Sequence, residues 1–257
     1  MTALTIGITT ARFAECKRGL AVNLAASLAR DPSRRRVCVV DADPLSLDVT
    51  TRLAVRGPYL EDFAEPDVPS VGGLGAVHEP PLSVLPSSAA CVGMTRRGTE
   101  RVLPLLRAEF DVVVCDLIGG PTGPERVAGR LAPLDWLLIA VTPDVEPVEA
   151  TAHFLDRFAE ARDRGDIAAS VRLGIVATGD EGSVGQRGST ELSSEVIAKS
   201  LGCPVVGSVP QLWGRSAPNL GFGAALGIAE LDDAVGALFT RLAGCPGRAH
   251  GASSRIS

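Results

Sequence analysis

Three aspartates stand where a carboxylate can do chemistry, because each directly follows a short apolar run. Asp41 and Asp43 come after VCVV, and Asp116 comes after VVVC. At the ends of parallel strands, carboxylates can hold magnesium, directly or through water, and orient an attacking water molecule. The competing interpretation is that they cap the helices that follow, which would suffice for Asp43 before Pro44. For all three together we favour the metal–nucleotide site, with Asp41 and Asp116 as its catalytic and metal-holding residues.

The apolar runs and the segments between them predict the elements that position these residues. Seven short runs predict strands: Leu4–Ile8, Val37–Val40, Leu82–Leu85, Asp111–Cys115, Trp136–Val141, Val171–Val176 and Pro204–Val209. Segments with helical periodicity lie between most of them or follow the last: Leu20–Ala29, Arg97–Ala108, Val148–Arg164, Leu192–Leu201 and Glu230–Ala243. Strands that are apolar throughout are buried on both faces. We therefore predict an α/β fold with a doubly wound, mostly parallel sheet and helices on both faces.

In a doubly wound sheet, ligands bind beyond the carboxyl ends of the strands. The turns that leave the predicted strands are polar or contain glycine, and they are Thr9–Gly19, Asp41–Pro44, Asp116–Gly120, Thr142–Val145 and Thr178–Gly182. Gly19, Gly119 and Thr178 in these turns therefore join the aspartates as candidate ligand-binding residues.

Composition limits the class of protein. The 257 residues are 46% hydrophobic and 21% charged, as in a globular chain with a substantial core. A net charge of −5 weighs against a polyanion such as DNA as the partner. The six cysteines lack CxxC or Cys/His spacing, so neither a zinc site nor a disulfide framework is predicted. Cys38 and Cys115 lie inside apolar runs, where we expect buried thiols.

The chain is predicted to form one domain over residues 1–244, followed by a disordered tail over residues 245–257. Pro58–Pro81 is expected to be an extended excursion on the surface, and Gly179–Ser189 a mobile loop. No apolar run is long enough to span a membrane, and the N-terminus does not have the pattern of a signal peptide. The tail also lacks the character of a membrane-targeting helix. We therefore expect a cytoplasmic protein.

Lys17 is followed by GLAVNLAASLAR and then by RRRVCVVDADP. This segment resembles the opening of the MinD/ParA family of deviant Walker A P-loop ATPases, which carries a phosphate loop KGGVGKTT, a helix such as LAVNLAAALA and a strand ending in DADP. Other stretches of the chain resemble later motifs of that family, in the same order. FDVVVCDLIGG resembles the second acidic motif of the family, WLLIAVTPDVEPVEAT the next strand and turn, and LGCPVVGSVPQ the late LGxPVLGxIPxD element. The likeness extends from about Leu4 to Leu242, and it implies the P-loop NTPase fold.

The phosphate loop departs from the family pattern. When Lys17 is aligned with the phosphate lysine, Arg12 takes the place of the signature lysine that reaches across the dimer, and Arg18 replaces the threonine that binds magnesium. Larger residues replace the three loop glycines, and these are Phe13, Ala14 and Cys16. Glycine is used there for φ > 0 and for close approach to phosphate. Because a cation at the place of a hydroxyl ligand repels magnesium, the sequence argues against ordinary ATP hydrolysis.

Lys17 nevertheless indicates a pocket that binds ATP or ADP. The chain has only two lysines, Lys17 and Lys199, among 25 lysines and arginines, and one of them stands at the position of the phosphate lysine. Arg12, Lys17 and Arg18 together can neutralise a phosphate without metal. The alternative is that Lys17 is an exposed residue of a first helical turn with no role in binding. Thr178 stands where relatives often place an adenine-reading Asn, which weakens the prediction of base recognition.

MinD/ParA-like proteins act as nucleotide-gated dimers that bind a membrane, DNA or a protein partner. The resemblance thus implies a role in placing division sites, chromosomes, pili or secretion machinery. Our leading hypothesis is a degenerate member, similar to the CpaE/TadZ group, that acts as a scaffold, either as a homodimer or paired with an intact ATPase relative. The alternative is a slow ATPase that uses Lys17, Asp41 and Asp116, with Arg12 acting across the interface. The acidic net charge disfavours a DNA-binding partition protein.

Overall fold

A computed structural model gives the fold. It describes residues 3–12, 17, 19–30, 36–64, 71–77, 81–88, 96–120, 124–128, 134–179, 192–209, 236–238 and 240–242. The strands are β1 (Leu4–Thr9), β2 (Val37–Ala42), β3 (Gly75–Val77), β4 (Leu82–Leu85), β5 (Val112–Leu117), β6 (Trp136–Val141), β7 (Arg172–Thr178) and β8 (Val205–Val209). The helices are α1 (Leu20–Ala29), α2 (Asp48–Leu53), α3 (Arg96–Glu109), α4 (Pro124–Ala128), α5 (Val145–Asp163) and α6 (Ser194–Leu201). Leu60–Ala64 and Val71–Gly73 form short 3₁₀ helices.

These strands form one twisted sheet in the order β3-β4-β2-β5-β1-β6-β7-β8. All described pairings are parallel except that of β3 with β4 at one edge. The central strands are buried along their whole length, because helices cover both faces of the sheet. The predicted doubly wound, mostly parallel sheet is therefore confirmed.

Two apolar clusters form the core, one on each face of the sheet. One contains residues of α3, α4, α5 and α6, among them the fully buried Phe154 and Phe158. The other contains most of α1, two residues of α2, and Leu238 and Leu242 near the C-terminus. Trp136 at the start of β6 ties this C-terminal helical stretch to the sheet, since its indole N–H donates to the Leu242 carbonyl at 3.3 Å.

The predicted elements that lie in the described ranges agree with the observed ones to within a few residues, and the predicted helix Glu230–Ala243 is helical at the residues described there, 236–238 and 240–242. The bounds of α1 coincide with the prediction, whereas β2, β5 and β7 run two residues further than expected and α5 begins three residues earlier. The sequence reading missed β3, α2 and α4, which are three to six residues long and too short to show periodicity. Cys38 and Cys115 are buried free thiols, as expected, and so is Cys203.

Pro58–Pro81 is not wholly an extended surface excursion, and that prediction is wrong for its first part. The 3₁₀ helix Leu60–Ala64 places Leu60 and Phe63 in the core beneath α3. Burial of these two side chains removes a large apolar area from water. A segment of five residues is too short for its periodicity to predict this burial. Within the described part of the chain, no helix is long and apolar enough to cross a membrane. The predicted loop at residues 180–189 and the tail at residues 245–257 lie outside the described residues.

Candidate functional site

The carboxyl ends of β1, β2 and β5 bring most of the candidate residues to one edge of the sheet. Asp41 and Asp116 are direct neighbours in the parallel register of β2 and β5. Two hydrogen bonds tie the loops after β1 and β5 to each other. The Thr9 hydroxyl donates to the Ile118 carbonyl at 2.8 Å, and the Gly120 N–H donates to the Thr10 carbonyl at 3.0 Å. The aspartates are therefore held on a rigid base.

Lys17 is the centre of this edge, and the alternative of an exposed lysine is wrong. Its residue is 5% exposed. Its Nζ lies 2.8 Å from Asp43 Oδ2 and 2.8 Å from Asp116 Oδ1, and it also donates a short hydrogen bond to the Leu117 carbonyl. These three acceptors match the three N–H donors of an ammonium group. Burial lowers the pKa of Lys17, but the charges of Asp116 and Asp43 outweigh burial, so that its pKa lies above the ordinary value.

Asp43 makes two kinds of contact, neither of which is a helix cap. One carboxylate oxygen binds Lys17, while the other accepts the backbone N–H groups of Leu45 and Ser46 at 3.1 and 3.4 Å. The second set of contacts forms a local turn rather than a helix cap, since α2 begins only at Asp48. Asp43 therefore orients Lys17 and shapes the loop at the same time.

Asp41 serves as a cap for α2. Its Oδ2 accepts the Thr50 N–H at 2.8 Å and the Thr50 hydroxyl at 2.7 Å, and its Oδ1 accepts the Asp43 N–H at 3.3 Å. The residue is fully buried, and this burial raises its pKa despite the hydrogen bonds from Thr50. All of these contacts stabilise the ionised form, because each donates a hydrogen to the carboxylate.

Asp116 is the carboxylate whose charge is least compensated. Burial raises its pKa to about 7, and Lys17 opposes this rise through its charge and its contact. The nearby negative charges of Asp41 and Asp43 add to the rise. Asp43 and Asp116 thus share one ammonium group with the charge of Asp41 nearby, and near neutral pH Asp116 exchanges its proton.

Two glycines make the close approaches at this edge possible. Gly119 follows β5, and a Cβ there would lie 2.5 Å from the Thr10 hydroxyl and 3.6 Å from Lys17 Cε. Gly19 precedes α1 with φ of 77°, a left-handed conformation that glycine adopts without steric cost. Both glycines were candidates from the sequence, and both lie close to Lys17.

The remaining candidates lie at the same edge but apart from Lys17. Arg12 forms an exposed ion pair with Glu146 of its own chain, at 2.8 Å. Thr178 is buried at the end of β7, two strands beyond β1, and its hydroxyl has no hydrogen-bond partner in the described part of the chain. Arg18 lies outside the described residues.

Three residues that sequence reasoning missed make contacts at this edge. Thr50 holds Asp41, Glu146 pairs with Arg12, and Asp48 accepts the Gly19 N–H at 3.1 Å. The i,i+4 pairs Asp48/Arg52 and Val49/Leu53 could have indicated the short helix α2. No sequence signal indicates that its first residue reaches the start of α1.

The described carboxylates do not form a magnesium site in their present arrangement. Asp43 and Asp116 converge on the ammonium of Lys17, while both oxygens of Asp41 are directed at backbone and hydroxyl donors. Within the described ranges, no group of three or more His, Cys, Asp or Glu side chains has the geometry to hold a metal ion.

No model of a known protein family matches the chain. An uncharacterized ATP-binding protein of Methanocaldococcus jannaschii is 25% identical to it over 216 residues, which cover 81% of this chain and 75% of that protein. The MinD cell division protein of Aquifex aeolicus has a similar structure, with a TM-score of 0.70, 20% identity, and coverage of 96% of this chain and 99% of that one. A ParA family ATPase of Chlorobium tepidum gives a TM-score of 0.69 at 18% identity, over 94% and 98% of the two chains.

The sheet order and the helices on both faces define a doubly wound α/β fold, and the similar solved structures place it among the P-loop NTPase folds. Within this class, the chain has the fold of the MinD and ParA ATPases, as the sequence resemblance implied.

The ion pairs of Lys17 give a prediction about stability. Replacement of Lys17 by Met leaves Asp43 and Asp116 buried without their counter-charge, and we expect the free energy of unfolding to fall by about 3 kcal/mol in urea denaturation at pH 7. Lys199 is exposed on α6, so Lys199→Met is the matched control and should change stability by no more than about 0.5 kcal/mol. Equal effects of the two substitutions would contradict this account of Lys17.

Asp116 gives a prediction about pH. Its pKa is about 7 in the folded protein, against an ordinary value of 3.8. Between these values the folded state holds a proton that the unfolded chain has lost. The contribution of this proton to the free energy of unfolding is therefore full below pH 3.8 and is lost as the pH rises through about 7. The free energy of unfolding falls by at most about 1.4 kcal/mol per pH unit.

Urea denaturation at several values between about pH 5 and pH 8 checks this slope. Asp116→Asn cannot titrate and should flatten the decline, while the raised pKa of Asp41 leaves part of it. Asp111→Asn removes an exposed carboxylate and should keep the slope of the natural chain. If Asp116→Asn leaves the slope of the free energy of unfolding against pH unchanged, Asp116 is not the group that causes it.

Proposed function

We propose that this chain binds ATP or ADP at the carboxyl edge of its sheet and acts as a scaffold or localisation factor with little hydrolytic activity. In this proposal it is a degenerate MinD/ParA-like protein of the CpaE/TadZ kind. The observation that carries the proposal is the buried ammonium of Lys17, which lies between two strand-end aspartates at the start of α1.

Nucleotide binding is supported by the chemistry of this edge. The N-terminus of α1 offers the positive end of a helix dipole, and the ammonium of Lys17 would bind a phosphate that replaces one of its carboxylate partners. Gly119 allows the loop after β1 to approach the end of β5 closely, because a Cβ there would lie 2.5 Å from the Thr10 hydroxyl. The similar protein of M. jannaschii is described as ATP-binding, which agrees with this assignment.

Weak hydrolysis is supported by the engagement of the acidic residues. Lys17 already provides the cation between Asp43 and Asp116, and Thr50 engages Asp41. Arg18 stands in sequence at the place of a hydroxyl ligand, and a cation there opposes metal binding. Arg12 contacts Glu146 of its own chain, whereas the ATPase mechanism would require it to reach a second subunit.

One observation favours the second candidate function, a slow ATPase switch. Asp41 and Asp116 are neighbours across β2 and β5, which is the placement that a water-orienting or metal-holding pair requires. Magnesium-dependent phosphate release that Asp41→Ala abolishes would support the switch and overturn the scaffold without hydrolysis.

Calorimetric titration with ATP and ADP, with and without magnesium, tests the binding proposal. We expect micromolar binding by the natural chain, and little dependence on magnesium. Binding should be lost in Lys17→Met, whose folding is checked by circular dichroism, and kept in the control Lys199→Met. The absence of binding in every condition would contradict the proposal and leave only the surfaces of the protein as functional parts.

We further propose that two copies associate through the carboxyl edge of the sheet. Leu45 and Val145 are large apolar residues there, 62% and 53% exposed, and they lie three residues after β2 and four residues after β6. Exposed apolar side chains beside a polar site are typical of an interaction surface. A homodimer or a heterodimer with a related ATPase would cover them, and the acidic net charge makes DNA a poor partner.

Light scattering coupled to size exclusion tests this association. The natural chain with ATP should form a dimer, and Val145→Glu should be a monomer because it buries a charge in the contact. Val196→Glu introduces the same charge at a residue of α6 that is 44% exposed, and it should remain dimeric. A natural chain that stays monomeric at high concentration with and without ATP argues against a homodimer.

A further inference from the structure

The groups that would face a phosphate are already occupied by acceptors of the chain itself. Lys17 donates to Asp43 and to the Leu117 carbonyl and forms an ion pair with Asp116, and Arg12 pairs with Glu146. The backbone N–H of Gly19 donates to a carboxylate of α2. A phosphate that uses Lys17, Arg12 or the Gly19 N–H must therefore replace an intramolecular contact.

The contact of Asp48 with Gly19 is the one most like a bound anion. Asp48 Oδ2 lies 3.1 Å from the Gly19 nitrogen and 2.8 Å from Arg52 Nε, and its side chain is 15% exposed. The helix α1 has no acidic residue in its first turn and no side-chain cap of its own. Its N-terminus therefore receives negative charge from another element, at the end where anions are stabilised.

The helix α2 is fixed to the site through a second contact. Asp41 accepts both the N–H and the hydroxyl of Thr50, and this hydroxyl also contacts Ser87. Val49 and Leu53 are buried against the same face of the sheet as α1. The six residues of α2 are thus held by one strand-end aspartate and in turn present Asp48 to Gly19.

Both ends of α2 have a costly backbone conformation. Leu47 and Ala54, which flank the helix, each have φ of 48°, and they are the non-glycine residues with positive φ in the described part of the chain. L-residues rarely adopt this left-handed region, and such residues persist where surrounding contacts hold them. The contacts that hold this segment are those of Thr50 and Asp48.

We infer that α2 is an autoinhibitory clamp on the nucleotide site. Asp48 occupies the N-terminus of α1 in place of a phosphate group, and a phosphate that binds there displaces Asp48 and lets the strained ends of α2 relax. This inference rests on the proposed nucleotide binding. It adds that the natural chain binds nucleotide less tightly than its pocket permits, because part of the binding free energy opens the clamp.

Calorimetry with ADP and with inorganic pyrophosphate, both without magnesium, tests the clamp. We expect Asp48→Ala to bind each anion about fivefold tighter than the natural chain, since a capping carboxylate no longer competes. Asp48→Asn keeps an acceptor but removes the charge, so its gain should be smaller; it also serves if Asp48→Ala does not fold. Asp111→Ala is the matched control, because Asp111 accepts the Arg36 N–H at 2.8 Å at the opposite edge of the sheet.

The outcomes separate the clamp from nucleotide binding itself. Binding to the natural chain that Asp48→Ala leaves unchanged or weakens overturns the clamp and keeps nucleotide binding. Equal gains in Asp48→Ala, Asp48→Asn and Asp111→Ala mean a general effect of charge and also overturn it. Binding to Asp48→Ala alone supports the clamp and overturns binding by the natural chain, and binding to neither protein overturns both.

Discussion

The buried ammonium group of Lys17 is the interaction on which the rest of this edge depends. Asp43 and Asp116 can be buried side by side only because a cation lies between them, since the cost of burying a carboxylate without a partner is large. Asp43 in turn shapes the loop after β2, and Asp41 holds the short helix that follows. The positions of the loop, of α2 and of the start of α1 are therefore consequences of one charge.

The fold could be predicted from the sequence because its strands are apolar throughout and its long helices are periodic. VCVV and VVVC have no polar face, which in a chain of this length requires a sheet covered on both sides. The short elements could not be predicted in this way. Phe63 enters the core from a single 3₁₀ turn, and its burial depends on the position of α3, which lies more than thirty residues later in the sequence.

The residues of the candidate site also fall into those that the sequence could predict and those that it could not. Asp41, Asp43 and Asp116 were found because strand ends are visible in the sequence, and Lys17 because it aligns with the phosphate lysine of a known family in a chain with one other lysine. Their partners were not, because Thr50 and Asp48 act through contacts between segments that only the folded chain brings together. Asp43, for which capping seemed a sufficient reason, instead shapes a turn and binds Lys17, and no local pattern could show this ion pair. The sequence thus indicates which charged residues form the site, and the structure shows which partner each of them contacts.

The three-residue strand β3 affects how copies of this protein can meet. A parallel sheet presents unpaired N–H and C=O groups at its outer strand, and an incoming strand from another molecule can extend such an edge. Here β4 is covered by an antiparallel strand too short to act as a template. Polymerisation through backbone hydrogen bonds is therefore disfavoured at this edge of the sheet. Any ordered assembly there must depend on contacts between side chains, and single substitutions can change such contacts individually.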